Sequence, residues 1–599
     1  MDSYDKQILQ YCYVENEDIK KYSAELTSIF IDQPPKFDER ISPVQNTQNT
    51  HKQIKATLFR EEYTPDPVIL IGTAGAGKTS FIRNFVENGI SDKEHKKRPI
   101  IYIDFIKFTR QNVYDTNFVY NYIFEEVKNV CSDLKLHKLN VLKVIYSVEI
   151  KERKENIWAH LVAKGDVDKL EDLIAKYLEQ EITKPIRHLE KVSNYLTKQC
   201  GRKLCLIFDN ADQLKEEEQR EIFLLAHSIT RNLNCIVITS LREGYFYRWK
   251  DKSPFNAYHS TVYHITAPPY REVLERRIDY ILNNFEFEKV GITVGNKSVD
   301  FEKGSLRTLF ENIRKALFEE HNSEILSFLE ETSYPNIRDG LEKFQTFLLS
   351  GHTHVTEYMS FEYGKGNRRG IPFWEFIKSV ALDSNYYFNS KDSKIVNLFL
   401  PSSLNTNHFT KIRLLLYLRN DVQNSGKDLV FFPVSKIVDD FVKIGYTRDI
   451  VVEELNELHL RNLIITSDYS SDIEDEILIN ESSKITISTI GNYYAVSLIK
   501  QSSYLELCVA DTPIYNEHTF ERISYIYPES DKNGIRDLSR RIETVKEFIQ
   551  YLSTMEGIDL KRAIEDTENA GLSFKIIEYI SKGTERQFTS IEKFLGSIH

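Results

Sequence analysis

Eight consecutive residues constrain this 599-residue chain more than any others: Gly72-Thr73-Ala74-Gly75-Ala76-Gly77-Lys78-Thr79. They fit the pattern G-x-x-x-x-G-K-[ST], and average residue usage yields only about 0.02 such matches by chance in a chain of this length. The apolar run Pro67-Val68-Ile69-Leu70-Ile71 before them reads as a buried strand, and Thr79 to Val86 reads as the start of a helix. Glycines let the backbone wrap closely, so that successive N–H groups face one anion. The helix start adds unpaired N–H groups and a positive dipole end. The segment is therefore a phosphate-binding loop. Gly72, Thr73, Ala74, Gly75, Ala76, Gly77, Lys78, Thr79 and Ser80 are the expected contacts of a bound ATP. Lys78 is placed to reach the β- and γ-phosphates, and the Thr79 hydroxyl to hold Mg²⁺.

The chain is too long for one core, so several domains are expected. A hydrophobic fraction of 41% and a charged fraction of 28% are ordinary for a globular protein. The net charge of −11 supplies no global basic field for nucleic acid, although a local patch stays open. The six cysteines, Cys12, Cys131, Cys200, Cys205, Cys235 and Cys508, form no C-x-x-C pair. Cys205 and Cys235 sit inside apolar runs and read as buried thiols, and the set points to a reducing cytoplasm and not to zinc or a disulfide framework. Met1 to Lys6 has no basic region followed by an apolar stretch, and no run of 18 apolar residues occurs, so neither a secretory signal nor a membrane span is expected.

Residues 61–270 read as an α/β nucleotide-binding core behind a lead-in at 1–60, in which a short amphipathic helix is expected at Lys52 to Arg60. Arg98 to Phe105 is a second strand, and about 117–199 is a helical insertion with periodic apolar positions. Lys203-Leu204-Cys205-Leu206-Ile207-Phe208-Asp209 ends a continuous apolar run in an acid, as a central parallel strand does. Asp209 then lies at the carboxyl end of the sheet, beside the glycine loop, where it is a second candidate ligand for Mg²⁺. A fourth strand covers Asn234 to Ser240 and leads to Leu241-Arg242, and a fifth covers Thr261 to Thr266.

The order of these parts resembles the AAA+ and STAND group of P-loop ATPases over residues 60–500. It comprises the glycine loop, the strand to Asp209 with a further acid at Asp212, and the ending Thr239-Ser240-x-Arg242. The D-x-x-D and T-S-x-R features are more similar to STAND ATPases, with initiator-type AAA+ proteins close behind. The resemblance implies that Thr239 or Ser240 is a first sensor and that Arg242 contacts the γ-phosphate. Arg248 is a weaker candidate for a finger acting on a neighbouring subunit. It also implies a departure. Hydrolytic AAA+ members place Glu directly after the strand-end Asp, and this chain has Asn210, whose amide cannot accept a proton. Asp212 is the available substitute.

Residues 271–400 read as a helical lid. In it, Asn336-Ile337-Arg338 resembles the opening of the AAA+ helix that carries a second sensor, Arg338. Gly366 to Gly370 is a basic loop. Residues 401–500 fit a winged helix with helices near 409–418, 433–442 and 447–461, and an acidic wing at Asp468 to Glu481. Asp449, Glu453, Glu454 and Glu457 on its third helix are a poor surface for DNA phosphates. Residues 501–599 read as helical with no catalytic constellation.

The expected architecture is thus a P-loop parallel sheet with a helical lid, a winged-helix domain and a helical C-terminal region. The expected function is an ATP- and Mg²⁺-dependent switch or assembly ATPase with slow hydrolysis. It would work with a protein partner as a homo-oligomer or hetero-complex, and the STAND resemblance adds a prokaryotic defence or regulatory setting. A DNA-associated loader and an adaptor that has lost hydrolysis are the alternatives.

Overall fold

The computed structural model describes residues 3–16, 66–252, 255–258, 261–284, 305–319, 323–353, 371–402, 405–425, 430–467, 478–526, 535–562 and 575–596, with short pieces at 19–20, 22–23, 292–294 and 297–299. The helix expected at Lys52 to Arg60, the loop Gly366 to Gly370, and 468–477 of the wing lie outside them. The chain forms two compact units, Met1–Thr266 and Ala267–His599.

The first unit is built on a parallel five-stranded sheet of order β2-β3-β4-β1-β5, with β1 Val68–Gly72, β2 Ile100–Asp104, β3 Cys205–Asp209, β4 Ile236–Arg242 and β5 Thr261–His264. β1 and β3 are buried at every position, which is why they read as continuous apolar runs. β4 extends two residues beyond the expected end, to Arg242. Alternation divides the strands between two cores. Ile69, Ile71, Leu206, Phe208, Val237 and Leu241 face a large core with helices α3 (Thr116–Val130), α4 (Pro185–Gln199) and α5 (Glu216–Leu233). Val68, Leu70, Cys205, Ile207, Ile236 and Ile238 face a smaller core. That smaller core is closed by Phe81, Ile82, Phe85 and Val86 of α2 (Lys78–Asn88), the helix of the glycine loop. The expected helical insertion is six helices of the described chain between Thr116 and Gln199, all before β3.

The N-terminal lead-in also joins this unit. Helix α1 (Ser3–Cys12) lies on α2, with Lys6 pairing to Glu87 at 2.9 Å. Asn16 donates to the Thr266 hydroxyl at 3.0 Å, and the Tyr22 ring stacks on Tyr263 with centroids 4.7 Å apart. Contacts over some 250 residues leave no local pattern in the sequence.

The second unit has one continuous core running from Tyr270 to Phe588. It opens with α6 (Tyr270–Asn284), and the expected Arg338 helix is α7 (Ile337–Leu349), capped by the Asn336 side chain on the Asp339 N–H at 3.2 Å. A short hairpin pairs β6 (Ile292–Val294) with β7 (Lys297–Val299). Further along the chain are α8 (Thr410–Ser425), β8 (Phe432–Pro433), α9 (Val434–Lys443), α10 (Arg448–Leu460), β9 (Ile464–Thr466) and β10 (Lys484–Ile487), with the three strands paired antiparallel in the order β8-β10-β9. Three helices and a small antiparallel sheet therefore occupy the stretch expected to be a winged helix. Long helices α11 (Ile535–Arg562) and α12 (Ile576–Gly596) make the C-terminal region helical. No helix among the described residues is long and apolar enough to cross a membrane.

Candidate nucleotide-binding site

The glycine loop joins β1 to α2 through two left-handed residues, Gly75 at φ 74° and Gly77 at φ 100°, a conformation that favours glycine. Gly72 is required for another reason: a Cβ there would lie 2.5 Å from the Ile265 carbonyl oxygen. Lys78 and Thr79 open α2, and Ser80 is exposed in the same turn.

β3 brings Asp209 to this loop from 130 residues away. The Thr79 hydroxyl donates to Asp209 Oδ1 at 3.1 Å. Asp209 is buried, and burial pushes its carboxyl pKa up against the opposing pull of the Thr79 bond and the Arg83 charge. Arg83 lies 4.0 Å from Asp209 Oδ2. It follows Thr79 by four positions, so both share one face of α2.

The chain then turns sharply. Asn210 is left-handed at φ 57°, and a short 3₁₀ turn, Ala211–Gln213, follows. The turn carries Asp212 back over the loop, where its Oδ2 lies 3.0 Å from Lys78 Nζ. Lys78 also donates to the carbonyls of Gly72 at 2.6 Å and Thr73 at 2.9 Å. Ser240 donates to Asp212 Oδ1 at 3.4 Å. Thr239, one position earlier on β4, points to the other face of the sheet, and its buried hydroxyl has no hydrogen-bond partner among the described residues. Of the two candidate sensors, Ser240 is the one gathered with the loop.

Arg242 ends β4. Its Nε donates to the Asp212 carbonyl at 2.6 Å, and its backbone N–H donates to Gln219 Oε1 at 3.0 Å. Gln219 is fully buried and also donates to the carbonyls of Asp212 at 3.2 Å and Leu214 at 2.7 Å. Arg248 pairs with Glu216 at 2.6 Å within its own unit. Arg338 is exposed in the first turn of α7, in the second unit.

Loop, hydroxyl, carboxylates and lysine thus meet at the carboxyl ends of β1, β3 and β4. Open α/β sheets bind ligands at that edge. The hard oxygen donors of Thr79 and Asp209 suit Mg²⁺, and the left-handed glycines suit a phosphate chain, so these residues fit the implied group. Sequence reasoning did not single out Asp104, Arg83 or Gln219. Only the four-residue spacing from Thr79 to Arg83 left a signal.

No family model matches the chain, and no curated protein matches it. Among solved structures, it is similar to a chain of Drosophila ORC bound to DNA at 12% identity, over 76% of this chain and 94% of that one, with a TM-score of 0.30. It is also similar to Cdc6p from Pyrobaculum aerophilum at 13% identity, over 80% of this chain and 97% of that one, with a TM-score of 0.28. The candidate site rests on its own geometry.

Proposed function

We propose that this chain binds ATP with Mg²⁺ and acts as a nucleotide-dependent switch or assembly factor with slow hydrolysis. The observation that carries the reading is the Thr79–Asp209 hydrogen bond of 3.1 Å, which joins the start of the glycine-loop helix to the end of a central strand. Gly72 to Ser80 would cradle the phosphates, with Lys78 against the β- and γ-oxygens. Thr79 and Asp209 would hold Mg²⁺, whose part is to neutralise charge on the phosphates. Asn210 has no proton-accepting oxygen of carboxylate strength, so Asp212 is the proton acceptor in this scheme. Ser240, hydrogen-bonded to Asp212, and Arg242, bonded to its carbonyl, would sense the γ-phosphate through that turn. Arg338 is proposed as the lid's contact.

A switch needs a ligand whose interaction differs between two states, and the γ-phosphate charge supplies that difference. The winged-helix elements would pass the change to a protein partner. Their third helix, α10, is engaged inside its own unit. Glu454 is fully buried and accepts from the Ser402 N–H at 3.0 Å and from Asn405 at 2.8 Å. Arg448 pairs with Asp439 and Glu481, at 2.8 and 2.6 Å. Arg461 donates to the carbonyls of Ser390 at 2.7 Å and Lys391 at 2.6 Å. These bonds favour a structural or regulatory winged helix over a DNA-reading one. A steep salt dependence of duplex affinity would reverse that preference in favour of the loader. The defence or regulatory setting rests on the STAND resemblance alone.

Equilibrium binding of ATP with and without Mg²⁺, to wild type, K78A and T79A, tests the reading. Mg²⁺-dependent binding that K78A abolishes is expected. Full ATP–Mg²⁺ affinity in K78A would overturn it.

A further inference from the structure

We infer that Asn210 and Asp104 are positioning residues that aim the Asp212 carboxylate at Lys78, so that Asn210 is a working part of the turn and not a sign of decay. The inference rests on the nucleotide reading above and adds a role to two residues outside its contact set.

Asp104 ends β2 and is the register partner of Asp209 on the neighbouring strand. Asn210 spends all its polar groups on the turn. Its N–H donates to Asp209 Oδ1 at 3.0 Å, its Nδ2 donates to Asp104 Oδ1 at 2.8 Å, and its Oδ1 accepts from Gln213 Nε2 at 3.0 Å. Asp104 is fixed from its own side, accepting from the Ile106 N–H at 3.3 Å, with Lys107 3.8 Å away. The left-handed backbone at Asn210 favours Asn over Glu, because Asn visits that region at lower cost. A Glu there would also set a third carboxylate against Asp104 and Asp209 in place of a donor, and like charges at such range oppose ionisation. The turn therefore carries an amide first and its acid two residues later. The same turn is tied from the far side by Gln219 and Arg242, both bonded to the Asp212 carbonyl. Asp212 is thus held between the β2 edge and the β4 end.

The test is single-turnover hydrolysis beside ATP affinity and a melting curve, for wild type, D104A, D104N, N210A, N210E and the D104A/N210A double. A misplaced reacting group costs up to about a hundredfold in rate. D104A and N210A are expected to lose about tenfold or more in rate, with ATP affinity held within about threefold. The double variant should be no slower than the worse single. D104N keeps an oxygen that accepts from Asn210 and should recover most of the rate lost in D104A. N210E should lower the rate. The inference is overturned by wild-type rates in D104A and N210A, or by D104N falling as far as D104A, which would make Asp104 itself the base. A faster N210E, or a wild type that binds ATP without turning it over, also overturns it. Absence of ATP binding by wild type would instead sink the nucleotide reading on which the inference stands.

Discussion

Lys78 Nζ and Asp212 Oδ2 lie 3.0 Å apart, with side chains only 4% and 14% exposed. Opposite charges so placed, largely out of water, interact strongly, and breaking such a pair leaves the survivor uncompensated. In the proposed scheme the same carboxylate would compete with phosphate for Lys78 and serve as the proton acceptor. D212A should separate the two roles. Its ATP affinity should equal or exceed that of wild type, while its single-turnover rate falls by about a hundredfold. Equilibrium titration and rapid-quench hydrolysis on the same preparation check this.

Gly72 and Gly77 should respond differently to alanine. At Gly72 the new methyl meets the Ile265 carbonyl oxygen, a backbone atom, at 2.5 Å, so β1 and the chain after β5 must part. At Gly77 nothing lies within 4 Å of a Cβ, and only the left-handed backbone at φ 100° resists it. G72A should lower unfolding free energy by about 1–3 kcal/mol. G77A should lower it by about 1–2 kcal/mol, from backbone strain alone. Urea melts of the full chain give both values.

In the second unit, Tyr270 donates to the Gly340 carbonyl at 2.8 Å, and its ring carbon would sit 2.4 Å from a Cβ on residue 340. Helix propensity favours G340A by about 1 kcal/mol. The buried ring makes the clash win, because overpacking costs about 1–3 kcal/mol where the neighbour cannot yield. G340A should therefore destabilise the protein, and Y270A should cost less in the G340A background than alone. A double-mutant cycle in urea measures that coupling.

Two buried histidines set an acid limit on the first unit. Burial pushes both His188 and His227 down to about 4. The unfolded chain protonates near pH 6.5. Between those values the unfolded state holds more protons, so stability falls as pH drops below about 6.5 and levels off near 4. The loss is on the order of 3 kcal/mol for each ring. Thermal melts from pH 7 to 4 should show that slope, and H188Q/H227Q should flatten it.

The glycine loop, its strand and its helix were legible because one local pattern dictates all three. Asp209 was legible because a fully buried strand leaves an unbroken apolar run before its last residue. The choice between Thr239 and Ser240 was not, since it depends on which face of the sheet α2 covers. Asp104 and Gln219 escaped notice because their partners lie in other elements, Asn210 being 106 residues from Asp104. Asn210 is a departure on the sequence alone, and its left-handed backbone, at φ 57°, favours Asn at that position.

The stacking of Tyr22 on Tyr263, with Ile19 filling the core beside α2, has a practical consequence at the bench. A fragment cloned from just before Val68 would retain every expected phosphate contact. It would also strip one wall from the smaller of the two cores and wet a tyrosine that is now 2% exposed. Such a fragment should precipitate or bind nucleotide poorly, and an inactive preparation of it would reflect where the scissors fell and not the chemistry of the loop.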